Sequence, residues 1–113
     1  EGRIPLAQAV TYLATAPKSN ASYVAINEAL RMVREEGHRP VPPHLRDAHY
    51  KGAAALGHGQ GYLYPHHYPG HFVPQRYLPE GVDVVFYRPS DNGYEREIGM
   101  RLAQWRARQR EGV

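Results

Sequence analysis

The sequence contains no cysteine, and this absence excludes several kinds of site at once. Without thiols there is no disulfide framework, no thiolate nucleophile and no Cys-ligated zinc. The sequence also lacks any apolar run near the roughly 18 residues that a membrane span needs. The chain has little excess of one charge over the other, since 14 basic against 11 acidic side chains leave a net charge of +3. That excess is too small to indicate nucleic-acid binding by itself.

What is present fits one globular domain over residues 1–113. Hydrophobic residues make up 42% and charged residues 22% of the chain, which argues against wholesale disorder. The first residue is Glu1 rather than Met, and a helical pattern follows almost at once. We therefore expect the chain to be a piece of a longer protein.

Residues 1–37 have the pattern of a helical hairpin. Pro5 suits a first helical position, and Leu6, Val10 and Leu13 recur at helical spacing until Pro17 ends the helix. A second helix follows potential N-caps at positions 19, 20 and 22 and ends at Gly37. Its apolar stripe is Tyr23, Ile26, Leu30 and Val33.

Residues 38–89 are rich in proline, glycine, histidine and tyrosine, and so predict an ordered but irregular segment. One helix is expected over 45–56, with Gly57 as its stop. Residues 75–78 and 82–87 could form a short β-hairpin around Pro79-Glu80-Gly81.

Residues 90–113 predict a final helix from about Tyr94 to Arg110. Asn92 and Glu95 have capping-box spacing. The three helices together predict a core of eight apolar side chains: Leu6, Val10, Leu13, Ile26, Leu30, Ile98, Leu102 and Trp105.

No pattern in the chain identifies a catalytic, cofactor or metal site. The seven histidines of the chain lack the spacing of a metal motif, so we expect several of them to hydrogen-bond turns and backbone. The glycines of 57–61 are preceded by a helical pattern instead of a strand, which favours turns at positive φ over a phosphate-binding loop. A His-ligated metal hydrolase is thus the least favoured of three functional hypotheses, after the two surface hypotheses that follow.

Two surface hypotheses remain open. The middle segment has more apolar area than so small a domain can hide, and such excess usually marks an interface. We expect self-association through one group of side chains: Tyr50, Tyr62, Tyr64, Tyr68, Phe72, Tyr77 and Leu78. The alternative is a sequence-blind DNA-binding module whose phosphate contacts are Arg101, Arg106, Arg108 and Arg110. A solvated helix end with a Glu97–Arg101 pair is the favoured explanation of these arginines, and phosphate contact stays open beside it.

Longer strings of the sequence resemble a known family. They are PHLRDAHYKGA at 43–53, LGHGQGY at 56–62, YPGHFV at 68–73, QRYLP at 75–79 and PSDNGYE at 89–95. With GRIPLAQ at 2–8 and APKSN at 16–20, they resemble the C-terminal domain of the replication-associated recombination protein A (MgsA) family of AAA+ ATPases.

This resemblance implies a mainly α helical bundle similar to the clamp-loader collar, which holds AAA+ subunits together. It implies a parent homotetramer in the bacterial cytoplasm, at the nucleoid, that acts on DNA at stalled forks with replisome partners. ATP and Mg²⁺ would belong to an upstream module, so the resemblance carries no catalytic residue onto this chain. We therefore expect this chain to bind no cofactor of its own.

Overall fold

The computed structural model describes residues 1–112 and is mainly helical, as expected. Three α-helices are present: α1 (Arg3–Thr15), α2 (Ala21–Glu36) and α3 (Glu95–Gly112). Between α2 and α3 the chain is irregular apart from single 3₁₀ turns at Pro43–Leu45, Ala54–Leu56, Pro65–His67 and Pro69–His71. Within residues 1–112 no helix has the combined length and apolarity to cross a membrane.

Helix boundaries follow local signals. The chain becomes extended at Ala16, directly before Pro17, and α1 ends there. Gly37 follows α2 at φ +75°, as its position predicted. The start of α1 was predicted too late, because the helix begins at Arg3 and Pro5 is its third residue.

The helix predicted over 45–56 does not form. Asp47 accepts the backbone N–H of His49 at 2.9 Å, a local turn that competes with helical hydrogen bonding. Gly52 lies at φ +93°, which a right-handed helix does not allow. Only the 3₁₀ turns at the two ends of this stretch remain.

The predicted β-hairpin is also wrong for the described chain, which contains no strand. Arg76 explains why, since its guanidinium donates to the carbonyls of Leu78 (3.0 Å), Pro79 (2.9 Å) and Val82 (3.1 Å). These are main-chain acceptors that a ladder between 75–78 and 82–87 would draw on. The arginine therefore fixes a loop where the sequence pattern indicated a hairpin.

The core lies in the middle segment. Within residues 1–112 the buried residues are Ala53, Val73, Gln75 and Val82, and none of the eight predicted core residues is among them. The radius of gyration is 18.6 Å, against about 13 Å for a compact chain of this length. No Cα of α1 lies within 8 Å of a Cα of α2 or α3 in residues 1–112, so the three helices do not form a core with one another.

Candidate functional site

Gln75 joins the middle segment to α3. Its amide accepts the N–H of Leu63 at 3.1 Å and donates to the Leu63 carbonyl at 2.7 Å and to the Tyr77 hydroxyl at 3.0 Å. Its own carbonyl accepts a hydrogen bond from the Gln109 side chain of α3. Two aromatic-rich stretches and the last helix are thereby held in register.

The aromatic residues proposed for self-association lie at the surface of this framework. We call them the aromatic surface: Tyr50, Tyr62, Tyr64, Tyr68, Phe72, Tyr77 and Leu78. All except Phe72 are exposed, and Phe72 is half-buried. The structure thus confirms that the rings of the middle segment are not hidden in the single chain.

Histidines brace several of these rings. The Tyr50 hydroxyl hydrogen-bonds Nδ1 of His58, whose Nε2 lies 3.3 Å from an Arg46 guanidinium nitrogen. Tyr64 lies against His66 and His67, with ring centroids 5.1 and 4.9 Å apart. The tyrosines are therefore held as partly fixed rings instead of free side chains.

The expectation that histidines bond backbone is confirmed at His44, and the His49 ring bonds the carboxylate of its own turn. Nε2 of His44 lies 2.6 Å from the Arg76 carbonyl, and Nδ1 of His49 lies 2.8 Å from the Asp47 carboxylate. No group of three or more His, Asp or Glu side chains in residues 1–112 is placed to hold a metal ion. The glycines at 57, 59 and 61 have φ between +72° and +82°, which confirms that they serve turns.

The four arginines proposed as phosphate contacts have different surroundings. Arg106 is half-buried and donates to the Tyr87 carbonyl at 3.0 Å. Arg101 donates to the Tyr94 hydroxyl at 3.1 Å, and the expected pair with Glu97 does not form among the ion pairs of residues 1–112. Arg108 and Arg110 are exposed at the last turns of α3.

Two of these arginines belong to a layered array with aromatic rings. Phe72 and Trp105 stack with centroids 6.1 Å apart and planes inclined by 15°. The Arg108 guanidinium lies 4.4 Å from the Phe72 centroid, and that of Arg101 lies 6.0 Å from the Trp105 centroid. Cations over ring faces are attracted by the ring quadrupole, so the array fixes both arginines beside exposed aromatic surface.

Glu95 organises the start of α3. It accepts hydrogen bonds from the Tyr87 hydroxyl at 2.7 Å and the Ser90 hydroxyl at 2.9 Å, so its side chain does not close the predicted capping box. Donation from the hydroxyls of Ser19, Tyr87 and Ser90 lowers the pKa of Glu95, and its carboxylate in turn raises the pKa of Tyr87. Asn92 meanwhile donates to the Lys18 carbonyl at 2.9 Å, which ties the α1–α2 link to α3.

Sequence reasoning found the exposed rings but missed Gln75 and the anchoring role of Glu95. A glutamine in a Pro-Gln-Arg-Tyr string has no periodicity to signal burial. The sequence marks Glu95 as a helix-start residue. Its hydrogen-bonding partners lie 5 to 76 residues away, so local sequence patterns do not reveal them.

The structure defines a mainly helical domain with exposed aromatic side chains. The chain belongs to the family described as MgsA AAA+ ATPase C terminal, whose family model matches residues 1–106. The resemblance drawn from the sequence strings is therefore confirmed.

Curated relatives agree with this assignment. The chain is 51% identical over 108 residues to an uncharacterised AAA domain-containing protein of Mycobacterium tuberculosis, covering 95% of this chain and 24% of the relative. It is 49% identical over 94 residues to replication-associated recombination protein A of Bacillus subtilis, covering 82% of this chain and 22% of the relative. For the Escherichia coli K12 protein of that name the identity is 41% over 111 residues, covering 96% and 25%. The chain thus spans about a quarter of the length of these relatives.

Proposed function

We propose that this chain is the assembly domain of a DNA-dependent AAA+ ATPase that acts in replication-fork rescue, recombination and DNA repair. In this proposal it holds copies of the parent protein together as a homotetramer in the bacterial cytoplasm, at the nucleoid. ATP and Mg²⁺ are handled by a module outside this chain, and DNA and replisome proteins are partners of the parent.

One observation carries the proposal: the chain has many more apolar side chains than it buries. Among the apolar residues of 1–112 only Ala53, Val73 and Val82 are buried, while large hydrophobic side chains on every helix stay exposed. Apolar surface of this extent usually marks contact with another protein. Aromatic anchors with arginines nearby are also the residues that dominate binding energy in interfaces.

The aromatic surface is the proposed contact, and Tyr68 is its cleanest probe. Tyr68 is exposed and makes no side-chain hydrogen bond in the described chain, whereas Tyr77 also accepts from the buried Gln75. Light scattering of the wild-type chain at ~100 μM should show closed oligomers. Tyr68→Ala should shift them toward smaller species with unchanged helical circular dichroism.

Tyr94→Ala is the matched control, because Tyr94 is an exposed tyrosine of the α3 region outside the aromatic surface. It should leave the size distribution unchanged. A wild-type chain that stays monomeric at ~100 μM would refute self-assembly of this domain. Unfolding of Tyr68→Ala would instead assign that ring a structural role and move the interface elsewhere.

The layered array of Arg101, Trp105, Phe72 and Arg108 supports direct, sequence-blind DNA binding as a second candidate. The array holds two guanidinium groups, which attract phosphates, beside the exposed ring of Trp105. Binding should be weak and steeply salt-dependent. Replacing Arg101, Arg108 and Arg110 with Gln should flatten the slope of log affinity against log salt by about 0.7 per lost single-strand contact. Tight binding that persists at high salt would contradict this assignment.

A further inference from the structure

Helix α1 is apolar on more than one side and stands free of the rest of the chain. Leu6, Val10 and Leu13 form one stripe and are 66–68% exposed, while Ile4 and Tyr12 face other directions and are 60% and 69% exposed. Its only charged residue is Arg3. A helix of 13 residues is marginal in water by itself, and one that is apolar all round is normally enclosed by protein.

The chain's own α2 is held away from α1. Pro17 in the link packs on Gly93, where an added Cβ would lie 3.1 Å from the proline ring, and Asn92 holds the Lys18 carbonyl at 2.9 Å. The Lys18 ammonium also donates to the Leu13 carbonyl at the end of α1. These contacts fasten the link to the start of α3, and with the link so held the hairpin does not close within one chain.

Helix α2 has two apolar faces, one half-buried and one exposed. Ala25, Ala29 and Met32 are half-buried on the side that meets residues 81–88, where Met32 lines a groove with Val82 and Phe86. About 100° round the helix lies the exposed stripe Tyr23, Ile26, Leu30 and Val33. The first face is used inside the chain. On the second face Val33 also borders that groove, whereas Tyr23, Ile26 and Leu30 remain 44–71% exposed.

We infer that the Leu6–Val10–Leu13 stripe of α1 packs on the Tyr23–Ile26–Leu30–Val33 stripe of α2 in a second copy, and that the two copies exchange α1 reciprocally. This inference rests on the proposed self-assembly and names a second interface for it. The helices match in length, at about 20 and 24 Å. Such an exchange completes between two chains the hairpin that the fastened link prevents within one.

The available area is adequate for a stable interface. The exposed apolar side chains of the two helices offer on the order of 600–900 Å² per copy. A standard interface buries roughly 800 Å² per partner. A tetramer of dihedral symmetry needs two different two-fold interfaces, and the exchanged helices and the aromatic surface supply one each.

Cross-linking tests the exchange without background, because the chain contains no cysteine. Val10→Cys and Leu30→Cys chains with different affinity tags are co-expressed and treated with a short bis-maleimide. Each chain then has one thiol, so a doubly tagged product joins two copies. The expected result is efficient mixed cross-linking for Val10→Cys with Leu30→Cys. The matched control pairs Val10→Cys with Glu35→Cys, which lies about 140° round α2 from Leu30, and should react at least ~5-fold less.

Size measurements make the outcomes separable. Val10→Asp should weaken this interface at least ~100-fold and leave dimers held by the aromatic surface, because a carboxylate would enter an apolar contact. Gln8→Asp, on the other side of α1, should leave tetramers. Cross-linking no better than in the control, or tetramers that persist in Val10→Asp, would overturn the exchange while self-assembly stands. A monomeric wild-type chain would overturn both.

Discussion

At the scale of single residues, the buried side chain and carbonyl of Gln75 join separate parts of the chain. Gln75 is 6% exposed, and its four hydrogen-bonding partners belong to Leu63, Tyr77 and Gln109. A planar amide can donate and accept at once, so one side chain satisfies both backbone groups of Leu63. This is how a segment with little regular secondary structure acquires a defined shape.

Gln75→Ala should therefore destabilise the chain by about 1–3 kcal/mol, because it removes the partners of the Leu63 N–H and carbonyl. Denaturant unfolding at fixed protein concentration measures the change. Gln104→Ala, at an exposed position of α3, should stay within about 0.5 kcal/mol of wild type. Equal effects of the two substitutions would show that Gln75 is not the junction described.

Two neighbouring glycines separate backbone strain from steric contact. Gly59 and Gly61 lie at φ +75° and +82°, but a Cβ at 59 would approach that of Ala48 to 2.6 Å, and a Cβ at 61 would meet nothing within 4 Å. Gly61→Ala should cost about 1–2 kcal/mol from the positive φ alone. Gly59→Ala should cost at least ~1 kcal/mol more, since the Ala48 contact adds overpacking. Thermal and denaturant unfolding of both variants gives the comparison, and equal losses would rule out the contact.

At the scale of elements, the start of α3 is where separate parts of the chain converge. Glu95 accepts hydrogen bonds from the hydroxyls of Tyr87 and Ser90, and Asn92 donates one to the carbonyl of Lys18. Arg88 adds an ion pair with Glu28 of α2 at 3.2 Å. Since the helices do not pack on one another, these polar contacts fix how α2 and α3 are placed.

Glu95 should make the stability of this junction pH-dependent. Its pKa in the folded chain lies below the usual 4.5 because hydroxyls donate to its carboxylate. The stabilisation is therefore present above about pH 4.5 and is lost as the pH falls through the folded-state pKa. In Glu95→Gln this part of the pH dependence should vanish, as seen in unfolding midpoints between pH 3 and about 6.

Glu97→Gln is the control for that titration, because Glu97 lies in the same first turn of α3 and its carboxylate makes no ion pair in residues 1–112. Its acid response should follow the wild type. A Glu95→Gln chain whose midpoint falls as steeply as the wild type below pH 4.5 would contradict the role given to Glu95.

At the scale of the whole molecule, the single chain has a small core and much exposed apolar surface. A radius of gyration of 18.6 Å and apolar residues open on all three helices leave little burial to offset the entropy of ordering the chain. On the proposed function, that burial comes from other copies.

Stability should then depend on protein concentration, because anything that binds only the folded chain stabilises it by mass action. Raising the chain from ~1 to ~100 μM should raise Tm by roughly 5–10 °C. The increase should be smaller in Tyr68→Ala. A Tm independent of concentration over this range would count against assembly-linked folding.

The sequence by itself determined the local features of this protein. Helix ends at Ala16 and Gly37 follow from Pro17 and from the positive φ that glycine allows, and the family followed from strings such as YPGHFV at 68–73. Composition also predicted exposed rings, because a chain this short cannot cover them. These properties depend on residues close together in sequence or on totals.

Only the tertiary structure decided how the pieces meet. The apolar stripes of α1 and α2 predicted a hairpin core, but periodicity shows only that a face needs a partner, not which chain supplies it. The 45–56 helix failed because Asp47 binds a backbone N–H and Gly52 lies at φ +93°, and the 75–87 hairpin failed because Arg76 binds main-chain carbonyls. Gln75 and Glu95 became central through partners from separate parts of the chain, and the physical reason is that hydrogen bonding depends on proximity in space, which local sequence patterns do not encode.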